Sequence, residues 1–262
     1  MSFSPSRPAL TVGSIALSFH RGVAAVTTRV LESCGHRVDI VEAPHEQLFR
    51  LQDEGRVDIL LSAWLPSSHD TYLSPYREHV RVLAPQYRPY CVWAVPSYVP
   101  EEQVGEVTDL TRMEVADRMS KIIDGINPGA GISRFSARMV REYGLDEFGY
   151  AFAAGSEPDF CARVERGIAA REWFVVPLWR PQYLNRLYGL RALREPKGLL
   201  GTVDDASPVI RRDALDRMHP DAVTRLEALR LGNEGVEEID ALINVNGLTP
   251  LQAADRFLLS RA

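Results

Sequence analysis

The sequence predicts an α/β protein whose sheets are mixed or parallel and flanked by helices. Three observations carry this reading. Short apolar runs alternate with amphipathic stretches along most of the chain. Two of those runs, Ile59-Leu60-Leu61 and Phe174-Val175-Val176-Pro177-Leu178, lead into a Trp that is followed, two residues later, by Pro. Between them lies Pro96-Ser97-Tyr98-Val99-Pro100, and an extended segment stiffened by two prolines suits a crossover between lobes.

Leu10 to Ile15 reads as a first strand, and Ser18-Phe19-His20-Arg21-Gly22 as the loop after it. Val23, Val26, Thr27, Val30, Leu31 and Cys34 recur at helical spacing, which predicts an amphipathic helix stopped by Gly35. Val38 to Val41 is a second strand. Pro44 to Glu54 is a short helix with Leu48 and Leu51 inward. Val57 to Ala63 is a third strand, apolar enough to be buried on both faces. Such β-α-β alternation requires right-handed crossovers and parallel pairing.

Val80 to Leu83 and Tyr90 to Val95 are further strands, the latter apolar or aromatic throughout and so central. Thr108 to Met119 reads as a helix with Thr108 as its cap. Lys121 to Ile126 is a strand that runs into the glycine-rich turn Asn127-Pro128-Gly129-Ala130-Gly131. Ser133 to Tyr143 is a helix and Phe148 to Ala153 a strand. Gly155-Ser156-Glu157-Pro158 opens a helix that reaches Ala170, and Phe174 to Trp179 is the next strand. From Gly198 onward the pattern turns helical, over Leu215–Met218, Asp221–Leu231, Val236–Ile243 and Pro250–Leu258.

Composition narrows the function classes. The chain has 262 residues and a net charge of −5, with no dense Lys/Arg cluster, which argues against nucleic acid and anionic membrane surfaces. No apolar run approaches a membrane span. The polar, Pro- and Ser-rich start, residues 1–8, lacks the features of a secretory signal. Taken literally this predicts a cytoplasmic chain; a signal upstream or already trimmed would make it periplasmic or cell-envelope associated. Cys34, Cys91 and Cys161 are odd in number and have no metal-like spacing, so free thiols are expected. The histidines show no metal pairing, and no metal site or cofactor is expected.

Several residues carry chemistry on two readings. Gly129 and Ala130 sit in a turn before a helix, either as an ordinary connection or as a backbone surface for a carboxylate-sized ligand. The turn lacks the Gly-Lys-Ser/Thr of a phosphate loop, and Arg134 stands where a dinucleotide fingerprint needs Gly. Trp64 and Trp179 end strands, where they serve either as packing or as a cage for a cation. A quaternary ammonium has no N–H to donate, so it is held by aromatic faces. Ser67, His69 and Asp70 lie too close in sequence to form a catalytic triad alone, and no nucleophile elbow accompanies them. An enzyme is therefore not expected.

The chain resembles the substrate-binding proteins of ABC importers for glycine betaine, proline betaine and related quaternary ammonium solutes. The resemblance rests on an ordered set of segments. These are Ala63-Trp64-Leu65-Pro66-x-x-His69-x-x-Tyr72, Val95-Pro96-Ser97-Tyr98 and Gly125-Ile126-Asn127-Pro128-Gly129-Ala130-Gly131. Gly155-Ser156-Glu157, Val175-Val176-x-x-Trp179-x-Pro181, Pro196-Lys197-Gly198 and His219-Pro220-Asp221-Ala222 follow. It implies a two-lobed periplasmic-binding-protein fold of type II that closes on its ligand. One lobe would be residues 1–98 with 199–262, the other 99–198.

The resemblance further implies a tryptophan cage around a trimethylammonium group, with backbone N–H groups and a His on the carboxylate. Trp64 and Trp179 match two cage positions. Where relatives often have His after Trp-x-Pro, this chain has Gln182, followed by Tyr183. Where they have an aromatic after the first strand, it has Phe19, with His20 or Arg21 as a cationic partner. The expected ligand set is thus Trp64, Trp179, Phe19, Tyr183, His20, Gln182, Gly129 and Ala130. The expected partners are a betaine- or choline-like solute and the membrane permease of an ABC transporter, with the binding protein itself a monomer. Two rival readings are a cytoplasmic two-lobed sensor or enzyme on a related metabolite, and a binding protein whose pocket has lost its ligand.

Overall fold

A computed structural model describes residues 9–261; the N-terminal stretch 1–8, on which the reading of a leader rests, lies outside the described residues. The chain divides into two units, one running to Pro89 and resuming at Asp204, the other Tyr90–Val203. The first pass through unit one gives β1 (Leu10–Ile15), α1 (Ser18–Ser33), β2 (Val38–Ala43), α2 (His45–Asp53), β3 (Ile59–Leu65), α3 (Asp70–Leu73) and β4 (Val80–Val82). Unit two follows with β5 (Tyr90–Pro96), α4 (Met113–Ala116), β6 (Ile122–Asp124), α5 (Gly131–Glu142), β7 (Ala151–Ala153), α6 (Glu157–Ala169), β8 (Val176–Arg180), α7 (Leu184–Leu187) and β9 (Leu190–Ala192). The chain then returns to unit one with β10 (Asp205–Arg211), α8 (Arg212–Leu215), α9 (Pro220–Ala228), α10 (Gly232–Asn244) and α11 (Pro250–Leu259).

Unit one is built on a five-stranded sheet of order β2-β1-β3-β10-β4. β1 pairs in parallel with β2 and β3, as the alternation of strand and helix requires. β3 is buried from Ile59 through Trp64, because both faces of the sheet are covered. The strand between β3 and β4 comes from the far end of the sequence. β10 runs antiparallel to both neighbours, in a stretch where the sequence suggests only helices. Its signal is weak for a reason: Pro208 interrupts it. The register against β3 slips between Ser207 and Val209, and a bulge is where a strand tolerates a residue without an N–H.

The loop expected at Ser18–Gly22 is instead the first part of α1. Leu17 is extended, and the helix begins at the next residue, with no Gly or Pro between them to break it. The apolar spacing hides this start because α1 is buried on most sides there, polar residues included: Ser18, Phe19, His20 and Thr27 are all buried. It packs against α10 and α11. Gly22 permits the closeness, since a Cβ there would lie 2.6 Å from Ile239 Cγ2. The other C-terminal helices fall close to their expected places, and His219 caps α9 by accepting from the Asp221 N–H at 3.1 Å.

In unit two, β5 lies between β8 and β9, antiparallel to both. This agrees with its apolar run, and Trp93 at its centre is fully buried, its indole N–H donating to Ser136 Oγ at 2.8 Å. Pro177 is accommodated because β8 is an edge strand. β6 and β7 form a separate parallel pair. The helix expected at Thr108–Met119 is two short turns, and the cap is Glu106, paired with Asp109 in a capping box. The boundaries between the units fall at 89/90 and 203/204, where the resemblance implies 98/99 and 198/199. The cause is β5, whose hydrogen-bond partners all lie in unit two.

Cys34 and Cys91 are half-buried and Cys161 is buried. No helix among the described residues is long and apolar enough to cross a membrane.

Candidate ligand-binding site

In unit one, β3 delivers Trp64 next to the start of α1. The Phe19 and Trp64 rings stand 5.7 Å apart, those of His20 and Trp64 6.1 Å, and those of Phe19 and His20 4.1 Å. All three side chains are buried, Trp64 the least, at 6% exposed. The early start of α1 creates this arrangement: one helical turn, not a loop, presents two adjacent rings to the end of β3.

Trp64 is held at several atoms. Its indole N–H donates to Tyr87 Oη at 3.0 Å, and its backbone N–H to His69 Nδ1 at 2.9 Å. The His69 backbone N–H returns a bond to the Trp64 carbonyl at 2.9 Å, closing the loop, and the His69 ring stacks on the indole at 6.1 Å. The rest of that loop is clamped by Asp204, which is buried. Its carboxylate accepts from Ser67 N at 2.7 Å, Ser68 N at 3.1 Å and Ser68 Oγ at 2.8 Å. Tyr87 and Asp204 have no local signature in the sequence. They lie 23 and 137 residues from the groups they hold, so only the fold reveals them.

Electrostatics sharpen the first cluster. Burial, reinforced by the neighbouring His45, pulls the His20 imidazole well below its ordinary pKa of 6.5, so it is a neutral ring at physiological pH. Arg21, the other candidate cation, points to the exposed edge, where its guanidinium forms a bidentate pair with Glu42 at 2.6 and 2.7 Å. The polar group beside Phe19 and Trp64 is therefore uncharged. Burial likewise raises the Tyr87 hydroxyl, which stays protonated.

In unit two, Trp179 is 1% exposed on β8, opposite Cys91 of β5, and stacks on Phe160 at 5.7 Å. It is followed by a cis Arg180–Pro181 bond, as Trp64 is followed by a cis Leu65–Pro66 bond. Gln182 is fully buried, with Oε1 accepting from Leu184 N at 2.6 Å and Nε2 3.8 Å from Cys161 Sγ. Asn185 Nδ2 donates to the carbonyls of Trp179 and Gln182 at 3.0 and 2.9 Å and so shapes this corner. Tyr183 is 7% exposed.

The glycine-rich turn is ordered by Asn127, whose side-chain oxygen accepts from Gly129 N at 2.8 Å and whose carbonyl accepts from Ala130 N at 3.0 Å. Arg134 donates to the Gly129 carbonyl. α5 begins at Gly131, one residue beyond Ala130. Phe152 lies so close behind the turn that a Cβ on Gly125 would come within 2.5 Å of its ring.

The clusters offer aromatic faces and neutral hydrogen-bonding groups. The Ser67 N–H and the Ser68 N–H and hydroxyl donate to Asp204, the Trp64 N–H donates to His69 Nδ1, and Arg77 pairs with Asp70. No group of three metal-ligating side chains occurs among the described residues. Cations sit favourably over such rings, at about 0.5–2 kcal/mol per ring once desolvated.

Comparison with known proteins gives a consistent result. Residues 8–260 match the family described as the substrate-binding domain of ABC-type glycine betaine transport systems. The glycine betaine/carnitine transport binding protein GbuC of Listeria monocytogenes is 22% identical over 147 residues, which are 56% of this chain and 48% of that protein. The matched stretch thus spans about half the length of that relative. Lactococcal OpuAC, solved closed around glycine betaine, superimposes with a TM-score of 0.85 at 24% identity, over 97% of this chain and 96% of that one. An ABC-transporter choline-binding protein solved with choline gives 0.84 at 20% identity, over 97% and 88%. At these identities the structural likeness is one of fold, and the fold is the one expected from the sequence.

Proposed function

The chain belongs to the family of substrate-binding domains of ABC-type glycine betaine transport systems, and from that membership we propose that it binds a small quaternary ammonium or zwitterionic solute and hands it to an ABC permease. One observation carries the proposal. Trp64 is fixed by Tyr87 and His69 while Phe19 and His20 stand beside its ring. A rigid set of aromatic faces is what recognition of a methylated ammonium group requires, because its methyl groups and spread charge are held by ring faces.

Trp64 and Phe19 in unit one, and Trp179 and Tyr183 in unit two, are the proposed cation-binding faces. Gln182 and the turn at Gly129 and Ala130 are the proposed contacts for the carboxylate or hydroxyl end, and His20 is a further proposed ligand contact, beside the rings of unit one. Two relatives support the ligand class: one is named for glycine betaine and carnitine, and another was solved holding choline. The reading needs no covalent chemistry and places the working protein in the cell envelope, beside its permease.

Calorimetry with glycine betaine, proline betaine, choline and carnitine tests it. At least one should bind, and Trp64→Ala and Trp179→Ala should each weaken that binding about tenfold or more, the size expected for losing a desolvated ring contact. Absence of binding by the whole panel, or an unchanged Kd in Trp64→Ala, overturns the proposal.

A further inference from the structure

We infer that His20 makes the first cluster select an ammonium group that still carries an N–H, such as a dimethylammonium, over a fully methylated one. The inference rests on the proposed function and names the ligand class more narrowly. Its starting point is an unmet need. His20 is 1% exposed, and its Nδ1 is buried without a hydrogen-bond partner among the described residues. Buried polar atoms are nearly always paired, so one left open beside an aromatic cluster points to a partner that is absent from the free protein.

The surroundings decide what kind of partner. The Phe19 ring lies 4.1 Å from that of His20 and the Trp64 ring 6.1 Å. Aromatic faces attract cations and repel anions, so a carboxylate is disfavoured here. The adjacent Arg21 offers an anion no help, being tied to Glu42. A cationic headgroup is favoured, and the ring nitrogen beside it is neutral because burial disfavours its charged form. With the proton on Nε2, Nδ1 is an acceptor. A headgroup with one N–H gives it a charge-assisted hydrogen bond while its methyl groups lie on the rings. A trimethylammonium against the same rings leaves Nδ1 buried and unpaired, and sites built around a hydrogen bond discriminate against ligands that cannot make it.

The experiment compares N,N-dimethylglycine with glycine betaine, which differ by one methyl group and share the carboxylate, by calorimetry at pH 7.5. The unaltered chain should bind dimethylglycine about tenfold or more tightly than glycine betaine. His20→Phe keeps a ring and removes the acceptor; it should weaken dimethylglycine more than glycine betaine and erase the preference, and His20→Gln, with an acceptor oxygen, should restore part of it. Should either variant fail to fold, imidazole 15N shifts of the unaltered chain give the answer. Dimethylglycine should move the Nδ1 signal of His20 and glycine betaine should not. A native preference for glycine betaine, an unchanged ratio in folded His20→Phe, or an Nδ1 signal indifferent to dimethylglycine overturns the inference. Binding of both ligands without preference, still lost in Trp64→Ala, would sink it while leaving the proposed function standing. Failure to bind either, or any of the panel, would instead strike the function.

Discussion

The indole N–H of Trp64 donates to the hydroxyl of Tyr87 at 3.0 Å, and the two rings meet edge to face, 6.5 Å apart at 86°. Tyr87 thereby fixes the ring orientation from outside the strand that carries Trp64. Tyr87→Phe removes the hydroxyl and nothing else, leaving a buried N–H without its acceptor. We predict a loss of about 1–3 kcal/mol in denaturant unfolding, with altered Trp64 emission. A loss below about 0.5 kcal/mol would show that the indole finds another acceptor.

His69 plays the complementary part at the backbone, accepting the Trp64 N–H at Nδ1. His69→Ala should destabilise the chain by about 1–3 kcal/mol, for the same reason. His69→Asn can offer an oxygen near the position of Nδ1 and should recover much of the loss. Equal loss in both variants would mean that the ring stacking, not the hydrogen bond, is what matters.

Asp204 joins the start of β10 to the loop after β3 through three accepted hydrogen bonds. Asp204→Ala should cost about 2–4 kcal/mol, since bonds to a charged acceptor are stronger than neutral ones. Hydrogen exchange provides a local readout: the amides of Ser67 and Ser68 should exchange faster in the variant, while those of β5 should not change.

Stability should also fall with acidity through His20. Its folded pKa is depressed below 6.5, so under more acidic conditions the unfolded chain takes up a proton that the folded chain refuses. The contribution is complete above about pH 6.5 and declines as pH drops from there toward the folded pKa. His20→Phe should flatten the dependence of unfolding free energy on pH in that window, by up to about 1.4 kcal/mol per pH unit. Parallel curves for the two proteins would refute this.

Much of the fold is legible because its signals are local. The apolar runs of β1, β3 and β5 and the spacing in α6 and α11 are set by nearby residues and can be read from them. β10 cannot, because its strand character comes from inserting between β3 and β4, while its own residues include Pro208 and three polar or charged side chains at its ends and middle, Asp205, Ser207 and Arg211. Periodicity also misplaces the start of α1, since a helix buried on most sides loses the polar face that marks its frame. Of the first cluster, Trp64 is conspicuous as a Trp ending an apolar run. Its supports are hidden for the opposite reason: Tyr87 and Asp204 look like ordinary loop residues until the sheet brings them to it.

The position of β10 has a consequence for how the molecule comes into being. While the chain emerges from the ribosome, β3 and β4 are complete long before the strand that separates them exists. Unit two is uninterrupted in sequence and has all its own strands by residue 192. Vectorial synthesis therefore favours the second unit maturing first, with unit one held open-edged until residues 205–211 arrive to close its sheet. The same residues bring Asp204 to the Trp64 loop, so the first aromatic cluster is finished late, by one of the last strands made.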